Sequence, residues 1–171
     1  MDDDVRALIA HFDLQPLPVE GTLFTQSYRS RITAAGGGPA GTAIVGLLCA
    51  DPRSFSCFHT LTFDEVWHVY GGDPFRLILL NGDGTSSEIV MGGDVLAGQR
   101  VQFTVPAGTW QAAELIAGGR YALYGCTMAP GFTSDAFVAA TAAALIARWP
   151  QRASEIRRLS VADDVRMPDG L

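Results

Sequence analysis

The chain has 171 residues, the size of one domain whose core withdraws roughly 70% of the unfolded surface from water. Hydrophobic residues make up 48% and charged residues 18%, and no apolar run reaches the ~20 residues of a membrane-spanning helix, so a globular, non-membrane protein is expected. A formal net charge of −6 argues against a nucleic-acid partner, because phosphate backbones are held by clustered Lys and Arg.

The opening Met1-Asp2-Asp3-Asp4 is acidic where a secretory leader is basic and then apolar, which points to the cytoplasm. Val5, Leu8, Ile9 and Phe12 recur at helical spacing and predict a short covering helix over 2–12. From residue 22 to 128 the texture changes to short runs of Val, Ile, Leu, Phe, Thr and Tyr cut by Gly, Pro and Asp. Strands are predicted over 23–31, 42–49, 55–61, 65–70, 75–80, 88–91, 100–105, 110–115 and 121–128. Asn81-Gly82-Asp83-Gly84 marks a hairpin loop, since Asn and Gly tolerate the positive φ such loops require, and Gly36-Gly37-Gly38-Pro39 marks a flexible one. Beyond Pro130, Ser134 or Asp135 is placed to cap a helix running to about Arg148, where Pro150 stops it; a second short helix is predicted over 153–159. The tail after Ala162 reads as loose. Many short strands bracketed by helices imply one all-β domain over 1–171, a sandwich or jelly-roll barrel over about 22–128, with C-terminal helices over about 134–160.

Cys49, Cys57 and Cys126 are an odd number of cysteines with no CxxC spacing, which fits small core residues better than a disulfide framework or a structural zinc site. Arg148, Arg152, Arg157 and Arg158 fall in the C-terminal helical region, where cations complement helix dipoles. The Gly-rich pieces match neither GxGxxG nor a P-loop, and no G-x-S-x-G elbow is present.

The densest chemistry lies in "FHTLTFDEVWHVYGGDP", residues 58–74. His59, Glu65 six places on, and Gly72 after six more residues resemble the first cupin motif, and Pro106-Ala107-Gly108-Thr109-Trp110-Gln111 echoes the second. Together with "SYRS" at 27–30, "VPAGTWQAA" at 105–113 and "GCTMAPGF" at 125–132, these segments resemble the small Cupin_5-type family of RmlC-like cupins across most of the chain. The resemblance implies a double-stranded β-helix, the cupin jelly-roll barrel, with flanking N- and C-terminal helices. It also implies a homodimer, for which the first long strand, 23–31, is suited to pairing across a two-fold axis. The sequence departs from its relatives at Pro18-Val19-Glu20-Gly21-Thr22-Leu23, where they carry Pro-Glu-Gly-Gly and an aromatic; if that loop lines the pocket, ligand preference differs here.

A typical cupin metal takes three His and one Glu, and the resemblance maps these onto His59, Leu61, Glu65 and Gln111. Leucine has no donor and an amide is a poor ligand, so no resident metal or other cofactor is expected. His68 is no substitute: if Glu65 points inward, alternation puts Trp67 and Val69 on its face and Val66, His68 and Tyr70 on the other. The same alternation gives His59, Leu61 and Glu65 one inward face, with His59 and Glu65 expected to bond to each other or to one shared water. An imidazole and a carboxyl group inside an apolar barrel are components of proton transfer. The expected function is binding of a small polar metabolite such as a sugar derivative or keto acid, with metal-independent isomerase, epimerase or lyase chemistry. His59 and Glu65 are the candidate catalytic pair; Trp67, Gln111, Tyr28, Arg29, Tyr121, Tyr124 and His68 are the candidate ligand contacts. Two alternatives stand beside this: a binding module in which His59 and Glu65 are only a satisfied buried pair, and a weak divalent site on those two residues.

Overall fold

The computed structural model describes residues 1–17 and 19–160, so the tail after Ala162 lies outside the described residues. Among the described residues eleven strands form two antiparallel sheets. The strands are β1 (Gln15–Pro16), β2 (Leu23–Arg29), β3 (Thr42–Cys49), β4 (Ser56–Leu61), β5 (Glu65–Gly72), β6 (Phe75–Leu80), β7 (Ser86–Met91), β8 (Gln102–Val105), β9 (Trp110–Leu115), β10 (Tyr121–Met128) and β11 (Phe137–Ala139). One sheet runs β1-β2-β3-β10-β5-β8, the other β11-β4-β9-β6-β7, and together they close as the jelly-roll barrel. Helix α1 (Asp3–Phe12) covers one flank, and α2 (Ala142–Arg148) with α3 (Ala153–Arg158) covers the other.

Three apolar clusters account for this layering. Between the sheets lie Leu48, Trp67, Phe75, Leu77, Met91 and Tyr124. Outside the second sheet, Phe58, Ile78 and Leu80 pack under Leu145, Trp149 and Ile156 of the C-terminal segment. Outside the first, Leu47 and Cys49 pack under Val5 of α1. Strands β3 and β6 are therefore apolar on both faces, which explains their near-continuous runs "TAIVGLLC" and "FRLILL". Gly46 is required by a close approach: a Cβ there would lie 2.3 Å from the Tyr124 ring, which stands opposite it on β10.

The C-terminal region corrects the sequence reading. No continuous helix runs from Ser134: residues Ser134–Ala136 form a single 3-10 turn, Phe137–Ala139 then pair with Leu61, Thr60 and His59 of β4, and α2 begins only after Thr141, whose hydroxyl accepts from Ala144 N. The edge of β4 would otherwise be left open, and pairing it outweighs the helical tendency of this Ala-rich stretch.

Candidate functional site

The two cupin-like segments meet through backbone contacts. Ala107 N donates to Asp64 Oδ1 at 2.8 Å, Gly108 N donates to Leu61 O at 2.8 Å, and Glu65 stands opposite Val105. These ties place His59 and Leu61 on β4, in one sheet, across from Glu65 and Trp67 on β5, in the other.

A polar strut crosses the barrel there. Gln111 on β9, the register partner of His59, donates from Nε2 to Glu65 Oε2 at 2.7 Å and accepts at Oε1 from Trp67 Nε1 at 2.8 Å. Trp67 Nε1 also reaches Glu65 Oε2 at 3.1 Å. Both N–H donors converge on one carboxyl oxygen; no N–H or O–H group among the described residues reaches Glu65 Oε1, and the Cys126 thiol lies beside the carboxyl group. On the opposite wall the His59 ring lies 5.0 Å from that of Phe137, nearly parallel to it, and its Nδ1 is 2.8 Å from Cys57 O. A carbonyl can only accept, so Nδ1 carries a hydrogen and Nε2 of the neutral ring is left as an acceptor.

His59 and Glu65 line one cavity of about 50 Å3, with room for a few waters or a small ligand group. Its wall is otherwise mostly apolar: Leu17, Phe24, Ile44, Leu61, Phe132 and Phe137 contribute to it, along with the polar residues Glu20, Gln26 and Thr42. Burial raises the Glu65 pKa above its ordinary value; attraction to the His59 ring in its charged form lowers it, Glu20 raises it, and the Gln111 amide and Cys126 thiol lower it without cancelling the rise. Glu65 is thus biased toward its protonated, uncharged form.

Of the two arrangements expected for His59 and Glu65, a direct bond or one shared water, the direct bond is not formed: each is held by other partners, and the two face each other across one cavity. Trp67 and Gln111 stand behind Glu65 as its hydrogen-bond partners and do not line the cavity. Tyr124 is set deeper, stacked on Trp67 at 4.9 Å and bonded to Thr22 Oγ1 at 2.8 Å, also off the cavity wall. The remaining ligand-contact candidates fall elsewhere. Tyr121 packs with Leu123 under α1, because alternation along β10 turns both away from Ala122, Tyr124 and Cys126. Tyr28 is more than half exposed beyond a register shift in β2, and exposed Arg29 reaches, among the described residues, only Phe132 O at 3.4 Å. His68 points outward, bonded to Thr127 Oγ1 and Gln102.

The sequence reading missed the contributions of Glu20, Phe132, Phe137 and Cys126. The signal for Cys126 was its shared parity with Tyr124 and Met128 on β10; that for Glu20 was the noted departure of its loop. Glu20 Oε1 accepts from buried Ser56 Oγ at 2.5 Å, and its backbone oxygen accepts from Cys57 N at 2.9 Å. Cys57 itself is a core thiol, donating to Val19 O and pushed up in pKa by burial.

The cupin metal set does not fit these residues. Leu61 brings a methyl-bearing wall where a ligand is needed, Gln111 is engaged on both amide atoms, and no three His, Cys, Asp or Glu side chains among the described residues converge to hold an ion. The match to known proteins settles the lineage. A family described as "Cupin superfamily (DUF985)" matches residues 6–140. The chain belongs to this cupin family. It is 31% identical to a protein from Shewanella oneidensis whose crystal structure superposes with a TM-score of 0.84, covering 95% of this chain and 99% of that one. A hypothetical protein from Leishmania major is 27% identical, with a TM-score of 0.79 over 92% and 98% of the two chains. A variant of the oxalate decarboxylase of Bacillus subtilis is 11% identical, with a TM-score of 0.53 over 93% of this chain and 41% of that one, a likeness of fold alone. No curated protein matches the sequence. Among the described residues no helix is long and apolar enough to cross a membrane.

Proposed function

We propose that this cupin binds a small polar metabolite between its sheets and catalyses proton transfer on it without a metal, as an isomerase, epimerase or lyase. The observation that carries the reading is a division of roles across one cavity. His59 has an acceptor nitrogen left over by the Cys57 carbonyl, and Glu65 has a carboxyl oxygen left over by Trp67 and Gln111, with burial favouring its proton. His59 removes a proton from carbon beside a carbonyl, and Glu65 donates to the oxygen on which charge develops. A free keto acid suits the cavity less well than a sugar derivative, because Glu20 and Glu65 line it and no Arg among the described residues does.

The test is carbon-bound hydrogen exchange in D2O, followed by NMR over a panel of aldoses, ketoses and their amino derivatives. The wild type is expected to exchange the hydrogen beside the carbonyl of one class, and His59→Gln and Glu65→Gln to slow this by about a hundred- to ten-thousand-fold. Binding without exchange in any class would leave the second reading, a non-catalytic binding module in the same cavity.

Two further readings go with this one. The outer edge of β2 beyond Phe24 has no strand partner among the described residues and carries exposed Tyr28, which supports a homodimer paired along that edge. Light scattering is expected to give twice the 18.2 kDa chain mass, and the single chain mass at micromolar concentration counts against it. The three free cysteines agree with a reducing, cytoplasmic setting.

A further inference from the structure

The chain has five glutamates, and they divide sharply. Glu88, Glu114 and Glu155 are each bound by arginine on the outer surface of the barrel. Glu20 and Glu65 have no Arg partner among the described residues, and these are the two that line the cavity. A carboxylate drawn out of water is ordinarily paired with a cation; with Glu65 biased toward its uncharged form, the half-buried Glu20 is the one left without an arginine among the described residues.

The lone pairs facing the cavity point the same way. His59 Nε2 is an acceptor in the neutral tautomer fixed by the Cys57 carbonyl, and Glu65 is more than nine-tenths buried with no N–H or O–H donor among the described residues on Oε1, only the weak Cys126 thiol beside it. Glu20 spends one oxygen on Ser56 and has no partner for the other among the described residues. Its carboxylate is also held in place: Leu17 N bonds Thr22 O at 2.8 Å, Gly21 N bonds Leu17 O at 2.9 Å, and the φ of +81° at Gly21 is one that only glycine adopts without strain. A site rich in acceptors calls for a ligand rich in donors. The aromatic side chains of Phe24, Phe132 and Phe137 complete the wall, and aromatic rings attract ammonium groups where a carboxylate is repelled.

We propose that the cavity selects a small organic amine, bound as its ammonium ion with Glu20 as counter-ion and its apolar part among Phe24, Phe132 and Phe137. This rests on the proton-transfer reading for the location of the site and adds the charge of the substrate. The two carboxyl groups then have different tasks, Glu20 holding the charge and Glu65 keeping its proton, which the negative Glu20 beside it favours.

The experiment titrates n-propylammonium, n-propanol and propionate, three ligands of similar size and different charge, into the full chain and follows the Trp67 indole and the backbone amides by NMR. Propylammonium is expected to bind roughly tenfold or more tightly than propanol, and propionate not at all. In Glu20→Gln the preference for ammonium over propanol is expected to vanish while propanol binding is unchanged. Propionate binding as well as propylammonium, no binding of propylammonium, or a preference that survives Glu20→Gln would each overturn the proposal. If that variant does not fold, the wild-type order alone decides. The order needs no turnover: ammonium preference without hydrogen exchange leaves this inference standing and removes catalysis, and exchange without the preference does the reverse.

Discussion

Glu65 and Glu114 are both largely withdrawn from water, one inside the barrel and one at the seam between the second sheet and the C-terminal helices. Their surroundings have opposite effects. Burial alone would raise the Glu114 pKa, but Arg158 and Arg76 donate to both of its oxygens, at distances from 2.5 to 3.0 Å, and together hold it below its ordinary value. Glu65 is met by no arginine among the described residues, only by the neutral groups of Trp67, Gln111 and Cys126, and its pKa stays raised. The seam uses charge to fasten helices; the cavity keeps a carboxyl group short of charge compensation. A fold seeking stability alone would treat both alike, so the difference is what marks the cavity as the candidate site.

The largest stability change is expected where the strut is cut. Gln111→Leu removes a partner from Trp67 Nε1 and from Glu65 Oε2 at a fully buried position, and should cost about 1–3 kcal/mol in urea denaturation. A cost near zero would mean that water replaces the amide and that the site is wetter than its burial implies.

Smaller, and of opposite sign in pH, are the effects of neutralising each glutamate. Glu114→Gln should cost about 1 kcal/mol at neutral pH, since its arginines are partly exposed. Because the folded-state pKa of Glu114 is depressed, wild-type stability from it is present above the ordinary carboxylate range and is lost as pH falls through the folded value, so the deficit of the variant should shrink on acidification. Glu65→Gln should behave the other way. Its folded-state pKa is raised, so the wild type loses stability as pH climbs from the ordinary carboxylate value to the folded one, and the variant should gain on the wild type over that interval. The substituted amide keeps an oxygen to accept from Trp67 and Gln111. Difference curves with the same slope would erase the distinction between seam and cavity.

Much of the barrel was legible because a strand's alternation is local. The strands 42–49, 75–80, 110–115 and 121–128 end where the turn residues say they should, and one inward face for His59, Leu61 and Glu65 follows from parity through the turn at Asp64. Parity along β10 also separates Tyr121 from Tyr124, although both stand together among the ligand contacts expected from sequence. The segment 134–141 was misread because its Ala-rich composition favours helix locally, and only the unpaired edge of β4, over 70 residues away in sequence, gives it a reason to be strand.

The sequence by itself determined the barrel, the family and the replacement of two expected metal ligands by Leu61 and Gln111, since each of these depends on residue type and short-range spacing. Tertiary structure alone decided how those residues are used. Gln111 serves Glu65 and Trp67 across the sandwich, Phe137 arrives from beyond the barrel to stack on His59, and Glu20 enters on a loop pinned by Ser56 and Cys57. These contacts join residues 36 to 78 positions apart, and hydrogen bonds and ring stacking of that kind exist only once the sheets have closed and excluded water.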